Sequence, residues 1–574
     1  MYRNPVDDYH FLFTEVLGQD VVAEATGGEV SADDIRDVLT SAGEFAVEVL
    51  HPLNAIGDRE GSKLVDGAVQ TPSGYQKAYR GYVEGGWTTI TIPEAIGGDG
   101  VPWTVHNALS ELWSAANAAF SLCTGLSVGA VLAIHASADQ QVRDTYLPPM
   151  VAGEWTGTMN LTEPQAGTDL SSIRTIARPN GDGTWSVEGQ KIFITWGDHD
   201  LTENIVHLVL ARTPDAPAGL GGLSLFVVPK FLPDAAGKPG ARNAITTVSL
   251  EHKLGIHSSP TCVLQYEGAT GHLIGELHGG LAAMFVMMNA SRTGIGLQGL
   301  GVADRAYQQA RDYADERVQG RVIGRPEGTP ISGHPDVARL LLSMSSRVSA
   351  IRALSVQLSY WLDVAERKGD AEAATLAEFM VPIFKGWATE ESVRIASDGV
   401  QVHGGLGFIE ETGAAQHLRD ARIFPIYEGT TAIQSNDLVG RKVLRNKGET
   451  AQQLAALIER DLAPLRDSDH PVAVRTVERM DRALRTAQTA TGQLMSHAVR
   501  DDLRSAFAVS VPYLELLGIL SGGWMHARML TAALGHAELD DADRRRIDEA
   551  DFFGAHHLAV VHSLAESIEY GEIG

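Results

Sequence analysis

Met159-Asn160-Leu161-Thr162-Glu163-Pro164-Gln165-Ala166-Gly167-Thr168-Asp169 marks the point at which this chain changes character. Upstream, from about residue 30 to 155, the pattern is helical. Ser31-Ala32-Asp33-Asp34 has the form of a capped helix start, and Ile35, Val38, Leu39, Ala42, Phe45 and Val49 follow at helical spacing. Glycines interrupt that region at Gly97-Gly98-Asp99-Gly100. Downstream, from about 157 to 280, Trp185, Val187, Ile192 and Ile194 alternate with polar neighbours. Short apolar runs then cover Ile205 to Leu210, Leu223 to Val228 and Cys262 to Leu264. Turn-formers such as Asn180-Gly181-Asp182-Gly183 separate them, so the segment reads as a β-domain of barrel or sandwich type.

From about 281 long helical stretches return, broken by loops at Gly324 to Pro335 and Gly404 to Gly407, and a further helical segment follows residue 447. The expected organisation is an N-terminal extension over 1–35, an α-domain over 36–157, a β-domain over 158–280, an α-domain over 281–447 and a helical C-terminal extension over 448–574. In the extension, Arg475, Arg479, Arg482 and Arg485 interleave with Glu478 and Asp481, the pattern of a solvated helix face.

At 574 residues the chain is too long for one core. Its net charge of -26 argues against a nucleic-acid backbone as partner. Two cysteines, Cys123 and Cys262, are too few for a disulfide framework or a zinc site of the usual kind, and no metal is expected. No uninterrupted apolar run reaches about 18 residues, so no membrane span is expected. Met1 to Pro5 leads into Asp7 and Asp8, an order unlike a secretory or transit peptide, and a cytoplasmic setting is expected.

Three motifs mislead when read alone. Gly294-Ile295-Gly296-Leu297-Gln298-Gly299 matches a dinucleotide fingerprint, but that motif needs a strand before it, and here the apolar run Leu281 to Met288 continues as one helical pattern. Gly125-Leu126-Ser127-Val128-Gly129 matches a hydrolase nucleophile elbow, yet it lies inside the helix-like stretch Leu122 to Ile134. His556, His557 and His562 lack any ligand spacing for a metal.

Four distant segments offer chemistry. The turn at 159–169 supplies hydroxyls and glycines to an oxygen-rich ligand, or is simply a polar loop. Lys191-Ile192-Phe193-Ile194-Thr195-Trp196-Gly197 ends a strand with aromatic and hydroxyl groups that suit a planar ring system, or core packing. Gln401-Val402-His403-Gly404-Gly405-Leu406-Gly407-Phe408 lets backbone amides approach a phosphate or ring, or merely ends a helix. Arg422-Ile423-Phe424-Pro425-Ile426-Tyr427-Glu428-Gly429-Thr430-Thr431 sets one carboxylate among apolar and small residues. Such surroundings raise a carboxyl pKa towards the working pH and favour a general base, although a Glu-Gly pair is also a common turn.

Read together, Leu161-Thr162-Glu163-Pro164 with Gly167-Thr168-Asp169 resembles the flavin-loop signature of the acyl-CoA dehydrogenase family. Gln401 to Phe408 followed by Tyr427-Glu428-Gly429-Thr430 resembles its C-terminal signature. The likeness runs from about Gly86-Trp87 to Val443. The leading segment Pro5 to Gly18 and the C-terminal extension resemble the larger subgroup of that family.

The resemblance implies an α+β multidomain fold: a helical N-terminal domain, a middle β-barrel or sandwich, a C-terminal four-helix bundle and the helical extension. It implies FAD as cofactor, an acyl-CoA substrate, an electron-transferring flavoprotein as acceptor, and a homodimer or homotetramer. Leu161, Thr162, Phe193, Thr195, Gln401, Gly404, Gly405, Thr430 and Gln434 would hold the flavin, with Arg317 from a neighbouring subunit. Thr168, Asn289, Arg292, Tyr427 and Gly429 would hold the substrate, and Glu428 would be the base. The family often has Trp where Phe193 stands, Asp at Asn289 and an aromatic at Gly320. Some members carry the base on the helix before Arg292, but Asn289-Ala290-Ser291 holds no carboxylate. An acyl-CoA oxidase using O₂ shares the same first half-reaction. A serine hydrolase using Ser127 and a non-catalytic binding member are the readings from other classes.

Overall fold

The structure is a computed structural model that describes residues 2–28, 30–500 and 502–570, with the backbone alone at Asp20, Asn289 and Ala290. The chain forms two compact units: Phe45–Pro102 with Ala116–Gly294, and Met1–Glu44 with Trp103–Ala115 and Ile295–Gly574.

The first of these is built on a seven-stranded sheet: β1 (Trp155–Asn160), β2 (Ile176–Pro179), β3 (Trp185–Thr195), β4 (Asn204–Arg212), β5 (Leu223–Pro229), β6 (Ile245–Leu250) and β7 (Thr261–Ile274). β3 pairs with β2 and β7, β4 with β2 and β5, and β5 with β7, which closes a barrel flanked by β1 and β6. Only the β1–β4 and β2–β4 pairs are parallel. The two faces of β4 explain why it is buried along nearly its whole length, since strand side chains alternate. Val209 and Ala211 join Val187, Phe226, Leu264 and Tyr266 in one core. Val206, Leu208 and Leu210 face a second core with Ile134, Tyr146, Met150, Met284 and Met287.

Several buried polar groups inside this unit are paired. Thr158 Oγ1 bonds His207 Nδ1 at 2.7 Å, Asn160 Nδ2 donates to Thr158 Oγ1 at 2.8 Å, and Thr156 Oγ1 bonds His199 Nε2 at 2.8 Å. Burial, with the Lys230 charge behind it, pushes His199 and His207 down to about 3. Both lie below the unfolded value, so the unfolded chain binds more protons as pH falls. Their contribution is complete above the unfolded pKa and is lost on acidification. Between pH 7 and pH 5 each histidine should cost about 2 kcal/mol of stability. Urea unfolding at both pH values measures it, and His207→Gln should shrink the difference. An unchanged pH dependence in that variant would refute the assignment.

Helix α1 (Trp103–Ser137) has a non-helical residue at Asn117, whose Oδ1 accepts from Phe120 N at 3.1 Å and so caps the second half. By length and composition alone α1 is long and apolar enough to cross a membrane, a test that a buried core helix also passes. Its most apolar window is 61% buried inside the protein. Asn117, Ser121 and Thr124 interrupt the apolar run without adding charge. The apparent elbow lies in this helix: Ser127 Oγ donates to Cys123 O at 2.8 Å and accepts from Gly157 N at 3.1 Å, with no strand-to-helix turn.

The second unit is helical. Here α2 (Gly280–Glu316) contributes its part from Ile295 onward, beside α3 (Pro335–Lys368) and α4 (Ala371–His403). The apparent dinucleotide glycines are helix-packing positions: a Cβ on Gly296 would lie 2.4 Å from Phe384, and one on Gly299 would lie 3.1 Å from Ala388 O. The leading segment docks through a buried network. Arg352 pairs with Glu111 at 2.6 Å, Asp304 at 3.3 Å and Asp8 at 3.4 Å, and Tyr9 donates to Glu111 at 2.5 Å. The C-terminal extension covers the bundle through its central helix, Ser510–Gly535. Gly518 lets that helix approach Trp387, Arg394 pairs with Glu515 at 2.7 Å, and His526 Nε2 bonds Ser346 O at 2.8 Å.

Candidate active site

In the helical unit the carboxylate singled out from the sequence sits on an irregular turn between two helices. Glu428 is half-buried and has φ 54, followed by Gly429 at φ 94. A non-glycine residue in the left-handed region costs roughly 1–2 kcal/mol and persists only where its surroundings fix it. Here they do. Lys385, in the middle of α4 and fully buried, donates from Nζ to Phe424 O at 2.9 Å and to Gly429 O at 2.6 Å. Gln434 Nε2 donates to Glu428 O at 3.2 Å, and Thr431 N donates to Pro425 O at 3.0 Å. Thr430 caps the next helix, Thr431–Asp437, by accepting from Ile433 N at 3.3 Å, while Thr431 Oγ1 donates to Glu390 at 2.7 Å. Tyr427 stacks on Phe424 and donates its hydroxyl to Gln298 Oε1. Desolvation of that hydroxyl, with the Glu428 charge behind it, pushes the phenol well up, so it remains a donor.

The structure thus brings Tyr427, Glu428, Gly429, Thr430 and Gln434 into one constellation. Arg317 and the 401–405 segment form a second group. Arg317 N donates to Tyr313 O at 2.9 Å, and the Tyr313 ring stacks on His403 at 4.6 Å. Arg317, Gln401, Gly404 and Gly405 are exposed, and Gly404 turns the chain out of α4 at φ 60.

In the barrel unit, Leu161 and Thr162 lie half-buried on the turn after β1, beside the bulged end of β3. Cys262 pairs with Ile194 but Leu264 pairs with Lys191, so Ile192 and Phe193 share one register position. The bulge throws Phe193 outward at φ 59 with 57% of it exposed. Thr162 O accepts from Ile192 N at 2.9 Å, which joins the turn to the bulge. Beneath both lies a buried ion pair: Lys191 Nζ contacts Glu163 Oε1 at 2.8 Å and donates to Leu161 O at 2.9 Å. Arg174 N and Thr175 N donate to the same carboxylate at 2.7 and 3.0 Å. Burial pushes Glu163 up, but the Lys191 charge and these bonds outweigh it and hold the carboxyl below its usual value. Thr195 is half-buried at the strand end, Thr168 is exposed, and Arg292 is half-buried on α2. The side chain of Asn289 lies outside the described residues.

Sequence reasoning missed Lys385, Gln298 and Glu390 as supports of the turn. Lys385 carried a signal: it is the one cation in the apolar run Phe379 to Trp387.

Each unit by itself offers a feature that suits a bound cofactor. Gln434 Oε1 is buried without a hydrogen-bond partner among the described residues, an acceptor left for a donor from a bound molecule. Phe193 and Thr195 offer an uncovered aromatic face beside a hydroxyl.

Four family profiles match the chain in order. They are described as "Acyl-CoA dehydrogenase, N-terminal domain" (residues 32–154), "Acyl-CoA dehydrogenase, middle domain" (158–269), "Acyl-CoA dehydrogenase, C-terminal domain" (278–443) and "Acetyl-CoA dehydrogenase C-terminal like" (450–572). The chain belongs to the acyl-CoA dehydrogenase family, flavin-dependent oxidoreductases whose cofactor is FAD. It is 47% identical to the 3-methylmercaptopropionyl-CoA dehydrogenase of Ruegeria pomeroyi, over 96% of this chain and 95% of that one. It is 35% identical to the broad-specificity linear acyl-CoA dehydrogenase FadE5 of Mycobacterium tuberculosis, over 99% of this chain and 97% of that one. Its fold matches Caenorhabditis elegans ACDH-11, solved in complex with C11-CoA, with a TM-score of 0.77 at 22% identity, over 96% of this chain and 91% of that one.

Proposed function

We propose that the chain removes two hydrogens from the α and β carbons of an acyl-CoA thioester to give the trans-2-enoyl-CoA, with Glu428 as general base. The observation that carries this reading is the half-buried carboxylate held in a left-handed turn by Lys385, Gln434 and Thr431. Bound FAD supplies the acceptor for the β-hydrogen as hydride. Glu428 takes the α-proton, and its backbone N–H donates to the thioester oxygen as negative charge develops there. One such preorganised donor typically contributes about 2.7–4 kcal/mol to lowering the barrier.

Leu161, Thr162, Phe193, Thr195, Gln401, Gly404, Gly405, Thr430 and Gln434 bind the cofactor, with Arg317 of a second copy. Thr168, Asn289, Arg292, Tyr427 and Gly429 line the substrate. Electrons leave to an electron-transferring flavoprotein. The test is an anaerobic titration of the yellow holoenzyme with acyl-CoAs of graded length. 3-Methylmercaptopropionyl-CoA heads the panel, because a relative sharing 47% of its residues with this chain carries that substrate in its name. Bleaching of the oxidised flavin band by at least one thioester is expected. A spectrum untouched by the whole panel would refute the reading, and stoichiometric peroxide in air would replace the flavoprotein acceptor with O₂.

A further inference from the structure

A lysine side chain with no exposure, on a helical stretch whose Phe379, Met380, Ile383, Phe384 and Trp387 are also buried, is costly to keep unless its ammonium is well bonded. The bonds made by Lys385 are specific. Nζ reaches two main-chain carbonyls, Phe424 O at 2.9 Å and Gly429 O at 2.6 Å, one on each side of Glu428. Between those carbonyls the chain makes turn bonds, Ile426 N to Ile423 O at 2.9 Å and Tyr427 N to Ile423 O at 3.2 Å, and the Tyr427 hydroxyl reaches Gln298. A turn of that kind does not by itself favour φ 54 at a glutamate. Gln434 grips the Glu428 carbonyl from the following helix at 3.2 Å, but a grip at one point leaves rotation about Glu428 open.

The geometry points to Lys385 as the positioning residue of the base: its ammonium clasps both flanks of the turn and so fixes where the Glu428 carboxylate stands. It touches main-chain oxygens and acts on the reaction through Glu428, so the inference rests on the reading of Glu428 as the base. It also explains why a charge is buried where a leucine or methionine would fill the same space. Methionine has the volume but donates nothing to a carbonyl. Without the clasp Glu428 relaxes towards negative φ, and an error of about 1 Å at a reacting group costs on the order of 10²-fold in rate.

The experiment uses the FAD-loaded, full-length enzyme and stopped-flow reduction of its flavin by the best acyl-CoA of the panel. Lys385→Met should bind FAD stoichiometrically and reduce about 10²-fold more slowly, with a smaller change in KM than in kcat. Lys385→Ala lacks three methylenes and the ammonium. It should be equally slow and should recover part of the rate, saturably, on addition of propylammonium, while propanol at the same concentration does nothing. A folded Lys385→Met enzyme reducing at the wild-type rate would overturn the inference. So would a slow Lys385→Ala enzyme that the amine leaves unchanged, since a general packing defect would respond no better to an amine than to an alcohol. If Lys385→Ala does not fold, Lys385→Met decides through its KM-against-kcat split: a rise in KM alone overturns the inference. The underlying reading fails separately. It falls if Glu428→Gln reduces at the wild-type rate, whereas a dead Glu428→Gln beside a wild-type Lys385→Met sinks only the role of Lys385.

Discussion

Replacing Glu428 by glutamine is expected to leave a folded, yellow protein whose flavin is reduced by acyl-CoA about 10²- to 10⁴-fold more slowly than in the parent. The argument starts from what the substitution preserves. Glutamine has the same shape and the same backbone preference, so the left-handed conformation costs no more than before. Three bonds to main-chain atoms help hold the turn, beside the side-chain bonds of Tyr427 and Thr431: Lys385 to Phe424 O and Gly429 O, and Gln434 to Glu428 O. None depends on the carboxylate. What disappears is a group able to accept a proton from carbon, because an amide oxygen is far too weak a base.

A loss of 10⁴-fold corresponds to about 5 kcal/mol of barrier. That is more than removing a single surface contact produces, so packing effects and the chemical effect are distinguishable. Substrate should still bind and perturb the flavin band, since the turn and the barrel are intact. The measurement is single-turnover reduction at saturating thioester, with flavin content determined on the same sample. A variant that bleaches at the parent rate would remove Glu428 from the reaction.

How much of this was legible before the structure depends on where each interaction is written. The barrel strands could be read because each is short, apolar and fenced by turn residues: the runs at 205–210 and 223–228 lie within Asn204–Arg212 and Leu223–Pro229. The helix start at Ser31 could be read because capping is local, and Ser31 Oγ and Asp34 do exchange bonds. Glu428, Thr162 and the glycine turn could be singled out as candidates because their motifs are contiguous.

The supports of those motifs were not legible. Lys385 acts 44 positions away on a carbonyl oxygen, which every residue possesses, so nothing at position 429 signals the partner. Lys191 and Glu163 both stand inside quoted motifs, but their pairing spans 28 positions and is made by the fold of the barrel. The overall apolar character of Trp103–Ser137 was not legible as an unbroken run for a different reason: Ser, Thr and Asn are carried without charge inside this largely buried helix.

The second large effect is expected at that barrel pair. Lys191 has no exposed side-chain surface and Glu163 only 3%, and burial drags the lysine down to about 8 although the Glu163 charge pulls it up. Lys191→Met leaves an ionised carboxylate buried with only the amides of Arg174 and Thr175 and the Gln165 side chain around it. Stranding one member of a buried pair costs about 3–5 kcal/mol. Adding Glu163→Gln removes the stranded charge, and the double variant should regain most of that loss, a coupling that a double-mutant cycle measures directly.

FAD retention should not follow stability. Both variants lose the bond from Lys191 Nζ to Leu161 O, the tether that fixes the turn against the Phe193 bulge. The double variant should therefore melt near the parent yet release FAD more readily on dilution. Urea unfolding supplies the first quantity and flavin fluorescence on release the second. A Lys191→Met protein within about 1 kcal/mol of the parent would contradict the electrostatic argument. A restored double variant with parental FAD affinity would show that the pair stabilises the barrel without orienting the turn.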